Sequence, residues 1–408
     1  MKSELISVGT EILLGEILNT DAQFLAGELS ELGIDVYHQS VVGDNAGRLA
    51  EALKTALSRS DIVIASGGLG PTPDDITKEV IAETMGEKLI LHEESLRRMQ
   101  EYFNRVHREM CKNNIKQAML PEHCIVLNNN NGTAPGCIIE KDGKTVIMLP
   151  GPPAELTRMF SESVRPYLEK RSEDKLFTRT YHIFGKGESA VAAELSELME
   201  KNTNPTVAPY AKTGEVHLRL GAKAKSQSEA DKIMESADKR IRQSFGRYIY
   251  STDGKSLPEV VFSKLLKAGK TICTAESCTG GLIAKTITDF PGSSGIFSEG
   301  YVTYSNEAKI KNLGVKRETL QSFGAVSEET AGEMAEGAAR VSGADIGVSV
   351  TGIAGPDGGT PEKPVGLVFI AVCFGGRTEV RRLELNGDRD KIRYLTMLHV
   401  FSLINERL

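Results

Sequence analysis

The stretch TAESCTGG, Thr274–Gly281, separates a short apolar run from an amphipathic segment that begins at Leu282. This order predicts a β-strand, a tight turn and an α-helix. Such a turn presents the hydroxyl of Ser277 at the carboxyl end of the strand, where open α/β sheets bind ligands. It also directs the free N–H groups of Gly280 and Gly281 at a bound anion. Ser277 is therefore a candidate nucleophile, and a hydroxyl needs a neighbouring base because it reacts weakly alone.

Ser277 needs a base, and the sequence after Tyr250 contains a single histidine, His399. His399 lies in the last helical pattern, so a Ser-His-Asp triad or a histidine-bound zinc water is hard to assemble. The segment YVTYSNEAK offers Lys309, which can lose its proton when shielded from water, and Tyr304, which can relay or donate a proton. The ordinary alternatives are a helix cap for the serine, a core tyrosine and a solvated lysine.

A second glycine-rich turn, SVTGIAGPDGG, follows another apolar strand and contains Thr351 and Gly352. Its N–H groups can form part of an oxyanion hole or a phosphate nest, and the threonine hydroxyl can add a contact. Arg389 and Arg393 stand near a later helix start, where one guanidinium could grip a phosphate through two hydrogen bonds. A surface ion pair is the alternative, and it is more serious for Arg393 than for Arg389.

The composition is that of a globular protein with two or three domains: 408 residues, of which 40% are hydrophobic and 25% charged. A formal net charge of -6 argues against direct nucleic-acid binding. The six cysteines form no CxxC pair, which favours reduced thiols over disulfides or a zinc site. The pattern of a signal peptide and the long apolar run of a membrane helix are both missing, so we expect a cytoplasmic protein without membrane contact.

Apolar strands alternate with amphipathic helices over the first 150 residues, which predicts a parallel sheet with helices on both faces. The loop GGLGPTPDD, Gly67–Asp75, follows the third strand, and its glycines let the backbone approach a ligand closely. Asp75, together with Asp44 after the second strand, could hold a hydrated divalent cation. A Gly/Pro turn in which Asp75 caps the next helix has equal weight. The candidate substrate-binding residues of this loop are Gly67, Gly68, Gly70 and Thr72.

Two other segments of this half carry weaker signals. Glu93–Met110 is typical of a long, charged helix with a solvated face. The apolar run before PGPPAEL predicts a strand whose Pro/Gly end grips a ligand or simply makes a sharp connection. Glu155 in this motif starts the next helix or faces the pocket.

A central segment from about Phe177 predicts the order β-α-β-β-α-β, a small α+β module. Between Arg171 and Tyr250 it holds 14 Lys and Arg against 11 Asp and Glu, which is too balanced for a nucleic-acid footprint. The GxxG loop that would clamp RNA is also missing, because Gly185-Lys186-Gly187 lacks the spacing. We interpret the module as a spacer or a dimerisation element.

The motifs SVGTEILLGEILNT, VVGDN, GGLGPTPDD, GTAPG and LPGPPAE, in this order, resemble the molybdopterin-binding domain of the CinA (competence/damage-inducible A) family. The resemblance implies metal-dependent hydrolysis of ADP-ribose to AMP and ribose 5-phosphate, with Asp44 and Asp75 at the positions that hold the metal. The same fold serves enzymes that adenylylate molybdopterin, so a nucleotidyltransferase is an alternative. The central module resembles the KH-like segment of this family.

The motifs TAESCTGG, YVTYSNEAK, GAVSEET, TGIAGPDGG, EKPVG and GDRD resemble the CinA C-terminal domain, which also occurs alone as nicotinamide mononucleotide amidohydrolase. The resemblance implies that Ser277 attacks the nicotinamide carboxamide while Lys309 and Tyr304 handle protons. Thr351 and nearby amides would steady the substrate, and Arg389 would hold its phosphate. The products would be nicotinate mononucleotide and ammonia, formed without a cofactor.

The resulting hypothesis is an α/β protein with three parts. They are a molybdopterin-binding-like doubly wound sheet over residues 1–170, a KH-like α+β module over 171–252 and an α/β CinA domain over 253–408. The protein would be a bifunctional pyridine-nucleotide salvage hydrolase and a homo-oligomer, acting on small nucleotides and needing Mg²⁺ or a similar divalent ion for its first domain. A non-enzymatic partner protein in competence or DNA damage is the alternative.

Overall fold

The computed structural model describes residues 1–172 and 174–408. Contacts divide the chain into two compact units, Met1–Phe177 with Ala222–Ile233, and Thr178–Gly221 with Met234–Leu408. Both are built from helices and strands, which confirms the α/β fold class. None of the helices within the described ranges has the length and apolarity needed to cross a bilayer.

The first unit alternates strands and helices along most of its length. Its strands are β1 (Lys2–Val8), β2 (Asp35–Val42), β3 (Ile62–Ser66), β4 (Leu89–Leu91), β5 (Met119–Pro121), β6 (Cys124–Leu127), β7 (Gly136–Lys141) and β8 (Lys144–Leu149). Its helices are α1 (Thr10–Leu13), α2 (Thr20–Glu31), α3 (Ala46–Arg59), α4 (Thr77–Met85), α5 (Glu93–Arg105), α6 (Pro153–Met159) and α7 (Arg165–Glu169). A 3₁₀ segment, Lys112–Ala118, precedes β5, and a π turn, Phe160–Val164, joins α6 to α7.

Six of these strands form one sheet in the order β2-β1-β3-β8-β7-β6. The first four are parallel, while β7 and β6 add an antiparallel edge. Alternate side chains of β3 enter opposite faces, since Val63 packs into one apolar cluster and Ile64 into another. Both faces are therefore covered by helices, as predicted, and the carboxyl ends of β1, β2, β3 and β8 meet at one edge.

The central segment follows the predicted order of elements. It contains β9 (Lys175–Phe184), α8 (Glu188–Glu194), α9 (Ser196–Lys201), β10 (Thr206–Lys212), β11 (Glu215–Ala224), α10 (Gln227–Phe245) and β12 (Ile249–Ser251), and its sheet order is β10-β11-β9-β12. The first helix of the predicted order is replaced by two short helices, α8 and α9. The helix breaks at Leu195, whose backbone leaves the helical region while its side chain stays buried.

The C-terminal segment is a mixed sheet with helices on both faces. Its strands are β13 (Ile272–Glu276), β14 (Gly300–Val302), β15 (Ile346–Gly352), β16 (Leu367–Phe374) and β17 (Arg377–Glu384). Its helices are α11 (Leu257–Ala268), α12 (Leu282–Thr288), α13 (Asn306–Ala308), α14 (Arg317–Phe323), α15 (Glu328–Ser342) and α16 (Arg389–Asn405).

The strand order of this sheet is β14-β13-β15-β16-β17. β13 lies between two parallel neighbours, β14 and β15, whereas β16 and β17 are antiparallel. The turns that follow β13, β14 and β15 therefore leave the sheet at the same edge. These turns carry Ser277, Lys309 and the segment after Thr351, so the topology positions the predicted site.

Candidate functional site

Lys309 and Ser277 are in direct contact, as the sequence predicted. Lys309 Nζ lies 3.2 Å from Ser277 Oγ, and it donates to the carbonyl oxygens of Thr303 at 2.8 Å and Tyr304 at 3.4 Å. Only 1% of Lys309 is exposed, and 8% of Ser277. The lysine is therefore an internal group of the site and not a solvated helix charge.

The local backbone explains how a lysine this long turns inward. Ser305 caps the short helix α13 by accepting a hydrogen bond from the Ala308 N–H at 3.1 Å. The helix then widens into a π turn over Lys309–Leu313, and Gly314 ends it with a left-handed backbone. Single π turns often occur at functional sites. Lys309 is the first residue of this turn.

Burial lowers the pKa of the Lys309 ammonium below its usual range, and the nearby Cys278 sulfur partly offsets this effect. The Cys278 thiol is itself buried, which raises its pKa to about 11. A thiol with such a pKa carries little thiolate at neutral pH. The electrostatics therefore favour Ser277 over Cys278 as the nucleophile.

Glu276 stabilises the turn that carries Ser277, a role that the sequence patterns did not predict. Its buried carboxylate accepts hydrogen bonds from the N–H groups of Gly281 at 3.0 Å, Ile283 at 3.1 Å and Ala284 at 2.8 Å. The N–H of Gly280 donates to the Ser277 carbonyl at 3.0 Å. The prediction that Gly280 and Gly281 offer free N–H groups to an anion is therefore wrong. The sequence did contain one indication of this role, an acidic residue between a strand and a helix, because carboxylates stabilise helix N-termini.

Tyr304 and Arg389 meet at the exposed side of the site. Arg389 Nη2 donates to the Tyr304 hydroxyl at 3.2 Å, and Nη1 donates to the Gly355 carbonyl at 2.8 Å. The Tyr304 side chain is 61% exposed. The Tyr304 hydroxyl thus contacts Arg389, and only the backbone carbonyl of Tyr304 contacts Lys309. The hydroxyl is therefore not positioned beside the lysine as a proton relay would be.

Thr351 has mainly a structural contact. Its buried hydroxyl donates to the Ala325 carbonyl at 2.6 Å, which ties the GAVSEET segment to the end of β15. Next to it, Gly352 approaches β16 so closely that a Cβ would lie 2.8 Å from the Leu367 carbonyl oxygen. The N–H of Ser277 donates to the Val350 carbonyl at 3.0 Å. These contacts hold the two glycine-rich turns together.

Arg393 lies nearer the site than its sequence pattern indicated. Its Nη2 donates to the Thr279 carbonyl at 2.8 Å, and its Nε is buried and has no hydrogen-bond partner in the described part of the chain. Asp390 lies 3.6 Å from Nη1. The Arg393 guanidinium, which belongs to α16, therefore stabilises the TAESCTGG turn. It also forms an ion pair with Asp390, as the alternative interpretation of Arg393 predicted.

The first unit has a pocket of about 570 Å³ at the carboxyl edge of its sheet. All the predicted residues of this unit line it, namely Asp44, Gly67, Gly68, Gly70, Thr72 and Asp75. Four further carboxylates join them: Glu11, Asp21, Asp74 and Glu155. We call this cavity the acidic pocket.

Asp75 and Asp44 each brace a loop of the acidic pocket. Asp75 Oδ2 accepts from the Thr72 N–H at 2.8 Å and from its hydroxyl at 2.6 Å. Helix α4 begins after Ile76 without a side-chain cap, so the interpretation of Asp75 as a helix cap is wrong. Asp44 Oδ2 accepts from the N–H of Thr10 at 3.1 Å and from its hydroxyl at 2.7 Å, which leaves the capping of α3 to the next residue.

The carboxylate oxygens of the acidic pocket are the type of ligand that a hard divalent cation such as Mg²⁺ prefers. In addition to its loop carboxylates, Asp21 has a buried Oδ1 without a hydrogen-bond partner among the described residues, and burial raises its pKa to about 6. Within the same part of the chain, no three His, Cys, Asp or Glu side chains are grouped closely enough to enclose an ion alone. Mg²⁺ usually needs only one or two carboxylates, since water and substrate phosphates complete its shell.

Comparisons with known proteins identify the family. The "Putative competence-damage inducible protein" of Clostridium novyi is 52% identical over 100% of this chain and 99% of its own length. The chain belongs to the CinA family. The "CinA-like protein" of Kosmotoga olearia shows the same identity over the same shares of both chains.

Three family models divide the CinA chain among them. They are a "Probable molybdopterin binding domain" over residues 4–170, a "Damage-inducible protein CinA KH domain" over 178–251 and a "CinA C-terminal domain" over 254–408. A solved structure of "competence/damage inducible protein CihA" from Agrobacterium tumefaciens is 44% identical and covers 36% of this chain and 90% of its own, with a TM-score of 0.36. None of these names specifies a reaction, and the domain boundaries at 170 and 252 stay predictions.

Proposed function

We propose that the C-terminal domain is a serine amidase that converts nicotinamide mononucleotide into nicotinate mononucleotide and ammonia. The observation that carries this proposal is the 3.2 Å contact between Lys309 Nζ and Ser277 Oγ inside a buried environment. Serine–lysine pairs of this kind replace the Ser-His-Asp triad in several hydrolases. The choice of substrate rests on the family resemblance of the surrounding motifs.

The arrangement around Lys309 accommodates its neutral form as well as the ammonium. An uncharged amine has two hydrogens and one lone pair, and three groups surround this nitrogen. The carbonyl oxygens of Thr303 and Tyr304 can accept only hydrogens, so the lone pair is left for the Ser277 hydroxyl. Two backbone acceptors therefore orient the lysine as a base.

The reaction then follows as two displacements. Lys309 takes the Ser277 proton while Oγ bonds to the carboxamide carbon, and the resulting ammonium gives that proton to the leaving nitrogen as the C–N bond breaks. Ammonia departs and leaves an ester on the serine. Lys309 next takes a proton from a water molecule while the water oxygen attacks the ester carbon. The lysine then gives this proton to Ser277 Oγ as the bond between Oγ and the carbon breaks. Arg389, beside Tyr304 at the exposed side, would pair with the phosphate.

For the acidic pocket we propose hydrolysis of ADP-ribose to AMP and ribose 5-phosphate. The support is the convergence of Asp44, Asp75 and the glycine-rich loop on one cavity, together with the resemblance. A divalent ion held by these two aspartates would neutralise the diphosphate and activate water. Gly67 and Gly68 both line the cavity. Their left-handed backbones let the loop pack tightly on the protein, since a Cβ would lie 2.2 Å from the Val8 carbonyl oxygen or from the Thr77 hydroxyl.

The two activities can be tested in one design. The purified protein is incubated separately with nicotinamide mononucleotide and with ADP-ribose plus Mg²⁺, and the products are identified by mass spectrometry. Ser277→Ala should abolish ammonia release and leave AMP release intact, whereas Asp75→Ala should do the reverse. Each variant is thus the folding control of the other, and unchanged turnover in either variant contradicts its assignment.

A nucleotidyltransferase is a second candidate for the first domain, because the matching family model is described as a probable molybdopterin-binding domain. The same assay with molybdopterin and ATP distinguishes the two. Formation of adenylylated molybdopterin without AMP release from ADP-ribose would favour the transferase.

A further inference from the structure

A second cavity of about 630 Å³ lies beside the acidic pocket in the first unit. One wall is a face of α5, and the other is the loop between β6 and β7. The lining residues are Ser95, Arg98, Met99, Glu101, Tyr102, Arg105, Asn128, Asn129, Asn130, Gly132, Thr133, Pro135 and Arg158. Thr133 lines both cavities, so the two are neighbours. We call this cavity the arginine pocket.

The two neighbouring pockets have opposite charge. The arginine pocket is lined by Arg98, Arg105 and Arg158 against one carboxylate, that of Glu101. The acidic pocket is lined by carboxylates and includes no Lys, Arg or His among its described lining residues. A concentration of positive charge in a chain of net charge -6 is a local feature that favours an anionic ligand.

Two of the three arginines form no ion pair with the carboxylates that the structure describes. Arg158 Nε donates to Glu162 at 2.7 Å, which is an ion pair. Arg98 Nη2 donates instead to the neutral Asn130 side chain at 2.9 Å, and Arg105 lies over the Tyr102 ring at 5.4 Å. Within residues 1–172 and 174–408, neither Arg98 nor Arg105 forms an ion pair, so their charge is available to a ligand.

The loop wall of the arginine pocket is held in place before any ligand binds. Asn129 Nδ2 donates to Glu155 Oε2 at 2.6 Å and to the Ala134 carbonyl at 3.0 Å. Gly132 lies so close to Glu155 that a Cβ would come within 2.1 Å of its Oε2. Glu155 also lines the acidic pocket, so its side chain supports the partition between the two cavities. A preformed wall lowers the entropy cost of binding.

We propose that the arginine pocket binds the phosphomonoester group of a phosphorylated sugar or nucleotide. A phosphomonoester has a charge near -2 and three acceptor oxygens at neutral pH, which matches two or three guanidinium groups better than a diester does. The asparagine amides and the Tyr102 ring offer further contacts for a sugar or a base. The charged helix α5, expected to present a solvated face, thus has one side that forms a binding wall. The proposal goes beyond the reaction proposed for the acidic pocket and does not require it.

Isothermal titration with inorganic phosphate, ribose 5-phosphate and AMP tests the proposal, with ribose and ADP-ribose as ligands that lack a monoester. Divalent ions are removed with a chelator, so that ADP-ribose is not hydrolysed to monoesters during the titration. The Arg98→Ala/Arg105→Ala double variant should bind the monoesters about tenfold more weakly or worse, and Arg105→Lys should retain part of the affinity. Arg97→Ala is the matched control, because Arg97 lies on the same helix, pairs with Glu94 and does not line the pocket.

The arms of the titration separate the sources of the phosphate. Equal affinity for AMP and ribose 5-phosphate supports recognition of the phosphoryl group alone, and a preference for AMP supports an added contact with the base. AMP and ribose 5-phosphate are also the proposed products of the acidic pocket, so the titration is repeated with Asp75→Ala, and a loss of monoester binding in this variant without a loss in the double variant would assign the ligand to the acidic pocket and contradict the proposal. Absence of binding by the wild-type protein, equal binding of ribose, or equal losses in Arg97→Ala and the double variant would overturn the proposal.

Discussion

The Thr303 carbonyl oxygen accepts a hydrogen bond from Lys309 at 2.8 Å, which is shorter than the 3.2 Å between Lys309 and Ser277. The lysine is therefore anchored mainly by backbone, and its contact with the serine follows from that anchor. Lys309→Met should lower the rate of ammonia release by about 10²–10⁴-fold, the usual effect of removing a general base. The rate is measured with nicotinamide mononucleotide at saturating concentration.

The control for this substitution is Lys311→Met, because Lys311 lies in the same π turn but is exposed. In the unmodified protein, kcat/KM should rise with pH until the lysine has lost its proton. The midpoint should lie below the usual lysine pKa, since burial lowers it. A flat pH profile, or a similar loss in Lys311→Met, would contradict the role of Lys309 as the base.

Glu276→Gln should destabilise the C-terminal domain. The carboxylate accepts three backbone hydrogen bonds in a buried site, and the amide that replaces it has only one oxygen to offer. Loss of charge-assisted bonds to buried donors costs about 1–3 kcal/mol each at most, so a fall in Tm of several degrees is expected. Thermal denaturation followed by circular dichroism measures it, and Glu362→Gln, at an exposed loop position, should change little.

Asp21→Asn should stabilise the first unit at pH 7 to 8. Burial raises the folded-state pKa of Asp21 to about 6, so the folded protein holds this proton more strongly than the unfolded chain does. The favourable contribution is complete below pH 4 and is lost as the pH rises through 6. Because Asp21 is only half buried, we expect a gain of about 1–2 kcal/mol in the variant. Chemical denaturation at pH 4, 6 and 8 tests this, and a variant less stable than wild type at pH 8 would refute it.

We expect His182 to make the protein less stable in acid. Its ring stacks on that of His217 at 3.8 Å and 5°, and burial, followed by the charge of His217, lowers its pKa. Glu215, whose carboxylate accepts from Tyr250, and Asp253 oppose this shift. A histidine with a lowered folded-state pKa costs stability as the pH falls below its unfolded value of about 6.5.

The free energy of unfolding should therefore decrease between pH 7 and pH 5. His217→Gln removes the second imidazole and should make this decrease smaller, as measured by urea denaturation at both pH values. A decrease of the same size in the variant would show that the stacked ring is not its cause.

Sequence patterns located the C-terminal site because its residues follow strand ends. Ser277 and Lys309 stand just after β13 and β14, and parallel neighbours bring such positions together. The direction of a side chain was harder to predict. The carboxylate of Glu276 reaches the start of α12 and accepts a hydrogen bond from the Gly281 N–H, an orientation that depends on the dihedral angles of the turn. For this reason the prediction of a free N–H group at Gly281 is wrong.

The arginine pocket shows a second limit of sequence patterns. Its walls, α5 and the loop that contains Asn130, lie about 25 residues apart in the chain, and only the tertiary fold brings them together. Arg98 and Arg105 also recur at the spacing of an exposed helical face, so periodicity alone favours solvent. The acidic pocket was easier to predict, because Asp44 and the GGLGPTPDD loop both follow parallel strands.

The carboxylate of Glu276 occupies the helix end that a phosphate would otherwise use. In the proposed amidase, attraction of the negative charge of a nucleotide would therefore be left to side chains, above all to Arg389. Discrimination between nicotinamide mononucleotide and free nicotinamide, which carries no phosphate, would then depend on one guanidinium. Selectivity for nicotinamide mononucleotide over free nicotinamide would thus be separable from the chemistry of Ser277. A single substitution could then lower this selectivity without removing the amidase reaction.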